Sequence, residues 1–159
     1  MAAHRGPQGP DPTTAATLDD AAAALLAVWE AARAQADIGL SDPQLNALLI
    51  VERHEGVNLP GLASGLQMIL SSASRLCDRL VAADLLERRV GAVDRREITL
   101  FLTARSSVLL RMLHAARQDM LADVLVGMPP ATRTALLVGL AEFATAVRGG
   151  AQVSVVRDG

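Results

Sequence analysis

Residues 59–103 read LPGLASGLQMILSSASRLCDRLVAADLLERRVGAVDRREITLFLT, and the changes of rhythm within this stretch decide the fold. From Leu59 to Leu66, and again from about Leu70 to Asp84, apolar residues return at helical spacing, with Gln67-Met68 as a tight turn between the two pieces. Leu62, Leu66, Met68, Ala73 and Leu76, with small Ala63 where two helices must approach, fit the spacing of a helix-turn-helix. Later the period becomes two. Ile98, Leu100 and Leu102 fall on one side of a strand, and Thr99, Phe101 and Thr103 on the other. Paired with Leu85-Leu-Glu-Arg-Arg89, that strand makes a hairpin around Gly91 whose tip carries Asp94, Arg95 and Arg96. A hairpin directly after a helix-turn-helix is a wing.

What the second helix exposes points to a partner. If Ala73, Leu76, Cys77 and Leu80 turn inward at spacings of three and four, Ser71, Ser72, Arg75 and Arg79 share the opposite side. A guanidinium can bond guanine bidentately, and a serine hydroxyl can bond phosphate or base, so these side chains suit a groove-reading helix. Ser74 on the same helix and Arg88 on the first strand of the wing complete the candidate DNA contacts, together with Asp94, Arg95 and Arg96 at the tip. On an isolated helix Arg75 and Arg79 would read as a solvated face with Asp78 as ion-pair partner, and the tip as a hairpin end kept soluble by charge. Their place between a helical turn and a wing favours DNA.

Working outward, Leu18, Ala22, Leu25, Trp29, Ala32 and Ala36 mark an amphipathic helix from about Leu18 to Asp37, ended by Gly39. Ser41-Asp-Pro-Gln44 matches a capping box, and Leu45, Leu48 and Leu49 carry the second helix to about His54, with Gly56 as its stop. Beyond the wing, Leu109, Met112, Leu113, Ala116, Met120 and Val124 define a helix over 104–126. Pro129-Pro130 breaks it, and Leu136, Leu140, Phe143 and Val147 mark a final one. Residues 1–16, rich in proline and glycine, and residues 149–159, which open on Gly149-Gly150, read as disordered tails. The expected class is mainly α with a small β-hairpin wing (α+β). A winged helix-turn-helix domain over 39–103 is flanked by a helical dimerisation region formed from 17–38 and 104–148. The first helix and the last two are more apolar than a wing domain can cover, so a second copy is expected to cover them.

Composition narrows the function. The 159 residues, 51% of them apolar, suffice for one domain of ordinary size. The longest clean apolar run, Ala21 to Trp29, falls well short of a membrane span, and the N-terminus has no export pattern, so a soluble cytoplasmic protein with no membrane partner is expected. Cys77, the only cysteine, cannot form an internal disulfide; on an inward face with no Lys or His beside it, it reads as a structural thiol rather than a redox sensor. His4, His54 and His114 lack metal-ligand spacing, and no phosphate loop, nucleophile elbow or HExxH motif occurs, so no cofactor, metal or catalytic site is expected. All 15 basic residues are arginine, which reads as the coding bias of a GC-rich bacterial genome. Trp29, Phe101 and Phe143 are too few for a single-strand stacking surface. The net charge of -2 conceals an asymmetry: residues 58–105 carry seven arginines against five acids, whereas residues 1–57 carry three against eight. The positive balance lies in the proposed reading domain, as attachment to phosphate requires.

Through Arg75-Leu-Cys-Asp-Arg-Leu80, Leu85-Leu-Glu-Arg-Arg89 and Asp94-Arg-Arg-Glu97, followed by a strand ending Leu102-Thr103, the sequence resembles the MarR family of winged helix-turn-helix regulators over about residues 18–148. The resemblance implies a homodimer with interlocking terminal helices, a recognition helix in each major groove and wings in the flanking minor grooves. It also implies a small-molecule effector that alters DNA affinity, bound near Trp29, His54 and Met112. Asp94 would hold Arg96 for entry into the minor groove, with Arg95 near phosphate. The sequence departs from the family at Ile69 and Leu70, positions more often a hydroxyl cap and a polar or basic residue, and at Gln67, which replaces a glycine common in the turn. The expected function is a sequence-specific double-stranded DNA-binding transcriptional regulator, a ligand-responsive repressor acting as a homodimer on a pseudo-palindromic operator. The alternative is a winged-helix dimer serving as a protein-interaction module without DNA binding.

Overall fold

In a computed structural model that describes residues 12–90 and 98–155, the element order is α1 (Pro12–Ala36), α2 (Asp42–Arg53), β1 (Val57–Asn58), α3 (Leu59–Gly65), α4 (Leu70–Ala82), β2 (Leu86–Val90), β3 (Ile98–Leu102), α5 (Ala104–Val126) and α6 (Pro130–Val155). The chain forms two compact units, the first reaching Arg117 and the second beginning at Gln118.

In the first unit the local chemistry of each boundary is visible. Ser41 stands in extended conformation before α2, and its amide donates to Gln44 Oε1 at 2.9 Å, as the capping sequence predicts. Arg33, at the end of α1, pairs with Asp42 and donates to the Leu40 carbonyl at 2.7 Å, which ties the last turn of α1 to the first turn of α2. The link between them bends through Asp37 and Gly39, both at positive φ. Leu45, Leu48 and Val51 of α2 meet Leu62 of α3, Leu80 of α4, Leu100 of β3 and Leu110 of α5 in one continuous core. Leu48, Leu62, Leu80, Leu100 and Leu110 are fully buried, and each such side chain stabilises the fold by roughly 1.5–3 kcal/mol.

The sheet has three antiparallel strands in the order β1-β3-β2. The wing register sets Leu86 against Leu102, Arg88 against Leu100 and Val90 against Ile98. β1 adds the pair Val57 and Leu100 on the other edge. The sequence predicts only the hairpin, because two residues are too short to show a period.

Both stretches read as disordered tails turn out to be partly helical. α1 begins at Pro12 and covers 12–16, since proline suits a first helical position, where its missing N–H is not needed. α6 continues through Gly149-Gly150 to Val155, although glycine costs about 1 kcal/mol relative to alanine inside a helix.

The second unit contains the end of α5 and α6, joined by a turn in which Gly127 and Met128 donate to the Val124 and Leu125 carbonyls. No described residue of α6 is buried; Leu137 is 60% exposed and Phe143 52%. Among the described residues no helix is long and apolar enough to cross a membrane.

Candidate nucleic-acid interface

The helix that carries the candidate contacts is framed by two tight reversals of the same kind. After α3, Gln67 adopts φ 53°, its amide donates to the Ser64 carbonyl at 3.0 Å, and the Met68 amide reaches the Ala63 carbonyl at 2.9 Å. After α4, Asp84 adopts φ 56°, its amide donates to Val81 at 3.0 Å, and the Leu85 amide reaches Leu80 at 2.9 Å. Each pattern is a Schellman closure, which satisfies the last carbonyls of a helix and turns the chain sharply. At the start of the motif Asn58 caps α3, its Oδ1 accepting from the Gly61 amide at 2.9 Å.

α4 buries Ala73, Leu76, Cys77 and Leu80, the four positions the periodicity assigns to the core. Ser71, Arg75, Asp78 and Arg79 are exposed, and Ser72 and Ser74 are half-buried. Ser72, Arg75, Asp78 and Arg79 line one shallow depression on the outward surface. The carboxylate of Asp78 is engaged by Arg88, which reaches across from β2 at 2.5 Å, rather than by Arg75 or Arg79 on its own helix. This hydrogen bond to Asp78, with a smaller contribution from Cys77, holds the Arg88 guanidinium above its ordinary pKa. Among the described residues neither Arg75 nor Arg79 has an ion-pair or hydrogen-bond partner. The outward face therefore presents two uncompensated guanidiniums beside one neutralised pair.

The wing and α4 are locked together at the start of α5. Thr103 Oγ1 donates to the Asp84 carbonyl at 2.8 Å and accepts from the Ser106 amide at 3.2 Å, so a single hydroxyl caps α5 and holds the chain leaving α4. Arg105 donates to the Ala83 carbonyl at 3.0 Å, placing a cation at the C-terminal end of α4, where the helix dipole favours it. On β2, Arg89 pairs with Glu87 and lies over the Phe101 ring of β3, 4.2 Å from its centroid.

A family model described as MarR family matches residues 38–97, which span α2, the helix-turn-helix and the first strand of the wing. The chain is 30% identical to RV1404 from Mycobacterium tuberculosis, with a TM-score of 0.76 over 89% of this chain and 97% of that one. The chain belongs to the MarR family. Two more solved structures share the fold at lower identity. Transcriptional regulator Tm0710 from Thermotoga maritima is 18% identical, with a TM-score of 0.70 over 87% of this chain and 96% of that one. The structure named MarR is 19% identical, with a TM-score of 0.62 over 82% and 98%. A search of curated proteins finds no match. As a MarR-family protein, the chain is a DNA-binding transcriptional regulator built on a winged helix.

For this MarR-family chain the structure gathers Ser72, Arg75 and Arg79 in one depression and joins Arg88 to it through Asp78. Ser71 is exposed at the start of α4 and Ser74 lies toward its flank. Asp94, Arg95 and Arg96 lie outside the described residues. Sequence reasoning missed the role of Asp78 as the anchor of Arg88. The available signal was a lone acid among arginines on the exposed face of α4, but its partner stands ten residues away on β2.

A second polar cluster lies between α1, α2 and α5. His114 Nε2 meets Glu52 at 2.9 Å, and Arg117 lies over the Trp29 ring, 5.0 Å from its centroid. Burial, followed by the charges of Arg53 and Arg33, pushes the Arg117 guanidinium below its ordinary pKa, and its Nε has no partner among the described residues. Trp29 and Met112 are both substantially exposed.

Proposed function

We propose that this MarR-family protein is a ligand-responsive repressor that binds a pseudo-palindromic operator as a homodimer. The observation that carries the reading is the pair of guanidiniums, Arg75 and Arg79, that have no partner among the described residues on the outward face of α4. In this reading Ser71, Ser72, Ser74, Arg75 and Arg79 meet the major groove and its phosphates. Arg88 approaches the backbone beside them, and Arg96, braced by Asp94, enters the minor groove with Arg95 near phosphate. The local charge balance of residues 58–105 supports it.

Homodimerisation is supported by the apolar side chains that α1 and α6 leave exposed, among them Leu26, Leu137, Phe143 and Val147. Two symmetric copies of α4 must match successive major grooves about 34 Å apart, so an effector that alters their separation alters affinity. Two fold relatives lend support: a point mutant of S. aureus MepR was solved bound to an oligodeoxyribonucleotide, and DNA binding by Bordetella bronchiseptica BpsR is regulated by 6-hydroxynicotinic acid.

The test is a salt titration of binding to duplex fragments from around the protein's own gene, comparing the wild type with Arg75→Ala and Arg96→Ala. A tight fragment whose affinity falls steeply with salt, with weaker binding and shallower slopes in both variants, is the expected result. Binding that is absent, or equal on every fragment and indifferent to both substitutions, overturns the reading. Sizing at micromolar concentration tests the dimer, and a monomer there would refute it.

A further inference from the structure

We infer that Ile69 and Leu70 read thymine methyl groups, so that each half-site carries thymine where the leading end of α4 enters the major groove. The inference rests on the DNA-binding reading of α4 and adds a base preference to it. Ile69 is 71% exposed and Leu70 52%, next to a face otherwise made of serine, arginine and aspartate.

Ile69 occupies the cap position of α4 with the extended backbone a cap requires, yet it makes no side-chain capping hydrogen bond. Its carbonyl accepts from the Ser72 and Ala73 amides at 3.0 and 3.1 Å, as in any helix start, but the apolar side chain offers the first-turn amides nothing. The site thus gives up the stabilisation a serine or threonine cap would contribute, and it also holds two branched apolar side chains in water. Neither feature serves the isolated fold, and both are accounted for if a partner covers the two side chains.

Charge identifies that partner. The same helix presents Arg75 and Arg79 without counter-ions among the described residues, so the surface next to Ile69 and Leu70 attracts a polyanion. A recognition helix presents its N-terminal residues to base edges, and the C5-methyl of thymine is the apolar group among those edges in the major groove. A methyl-sized apolar contact of this kind is worth about a fourfold change in affinity.

The experiment uses the full chain and a duplex that it selects from a randomised library. Each thymine of the selected duplex is replaced in turn by deoxyuridine, which removes the methyl and keeps the pairing edge. Affinity is then read by fluorescence anisotropy at fixed salt. The expected result is a loss of about fourfold at one or two positions per half-site. Ile69→Ser and Leu70→Ser should each abolish the loss at one of those positions while retaining the salt dependence. Tight, salt-dependent binding with thymine and uracil equivalent at every position, or a preference unchanged in both variants, overturns the inference and leaves the DNA reading standing. Failure to bind any duplex overturns both, and capture of a protein through these residues would be the reading that replaces them. If a serine variant fails to fold, Ile69→Ala or Leu70→Ala takes its place, and a thymine preference that survives both alanine variants overturns the inference equally.

Discussion

Thr103→Val removes one hydroxyl and leaves the shape of the side chain nearly intact. In the native fold that hydroxyl donates to the Asp84 carbonyl at 2.8 Å and accepts from the amide of Ser106, a fully buried residue. Losing a helix cap costs about 1 kcal/mol, and losing the bond to the Asp84 carbonyl costs about another 1 kcal/mol. The variant should therefore be less stable by about 2 kcal/mol. In urea, with a slope of about 1–3 kcal/mol per molar, the midpoint should fall by roughly 1 M. Thr103→Ser keeps the hydroxyl and should lose less than half as much. Because the same group holds the chain leaving α4 against the start of α5, Thr103→Val should also weaken duplex binding at temperatures where it remains folded. A midpoint within 0.2 M of wild type, on a scale where ~0.5 kcal/mol is the spread of neutral surface changes, would refute the linkage. So would equal losses in the serine and valine variants.

Gln67→Gly should stabilise the fold by about 0.5 kcal/mol, since the left-handed conformation costs a non-glycine residue about 1–2 kcal/mol and the extra freedom of glycine in the unfolded chain returns part of it; a lower melting temperature would contradict this. Gly61→Ala should destabilise by about 1 kcal/mol despite the better helix propensity of alanine, because the new Cβ would lie 2.7 Å from Val57 Cγ2 and 3.1 Å from the capping Asn58 Oδ1; a stabilised variant would show that β1 yields freely. Asp78→Ala should release Arg88 and remove the acid from the outward face of α4; under the proposed contacts, DNA affinity should rise and the salt slope steepen by about one per protomer, and an unchanged slope would place Arg88 away from the backbone.

How much of this could be read from the sequence depends on the range over which each feature is determined. The inward set Ala73, Leu76, Cys77 and Leu80 and the capping box at Ser41 are written in spacings of three and four residues, and the structure places them as the spacing demands. Alternation marks β3 as a strand, whereas the register that sets Leu86 against Leu102 is fixed only by the pairing itself. β1 escapes because a two-residue strand is defined only by its pairing with Leu100 and Thr99, some 40 residues later. The extents of α1 and α6 escape because proline and glycine read locally as breakers, whereas Pro12 opens a helix and Gly149-Gly150 is carried along inside one. At the candidate site the residue types were legible but the electrostatic pairing was not. Asp78 is a neighbour of Arg75 and Arg79 in sequence, and only the packing of β2 beside α4 gives its carboxylate to Arg88.

The burial of Cys77 has a kinetic consequence. It is the chain's only thiol, and its side chain is sealed at 0% exposure beneath α4. A thiol reagent can reach it only during excursions in which this helix lifts from the core. If such an opening costs about 5 kcal/mol, the thiol is accessible in on the order of one molecule in five thousand at any instant. The rate of labelling then reports the fraction of molecules in which α4 has left its seat, without any engineered probe. A duplex gripped by that helix should slow the modification, so the native cysteine can time the residence of DNA on the protein.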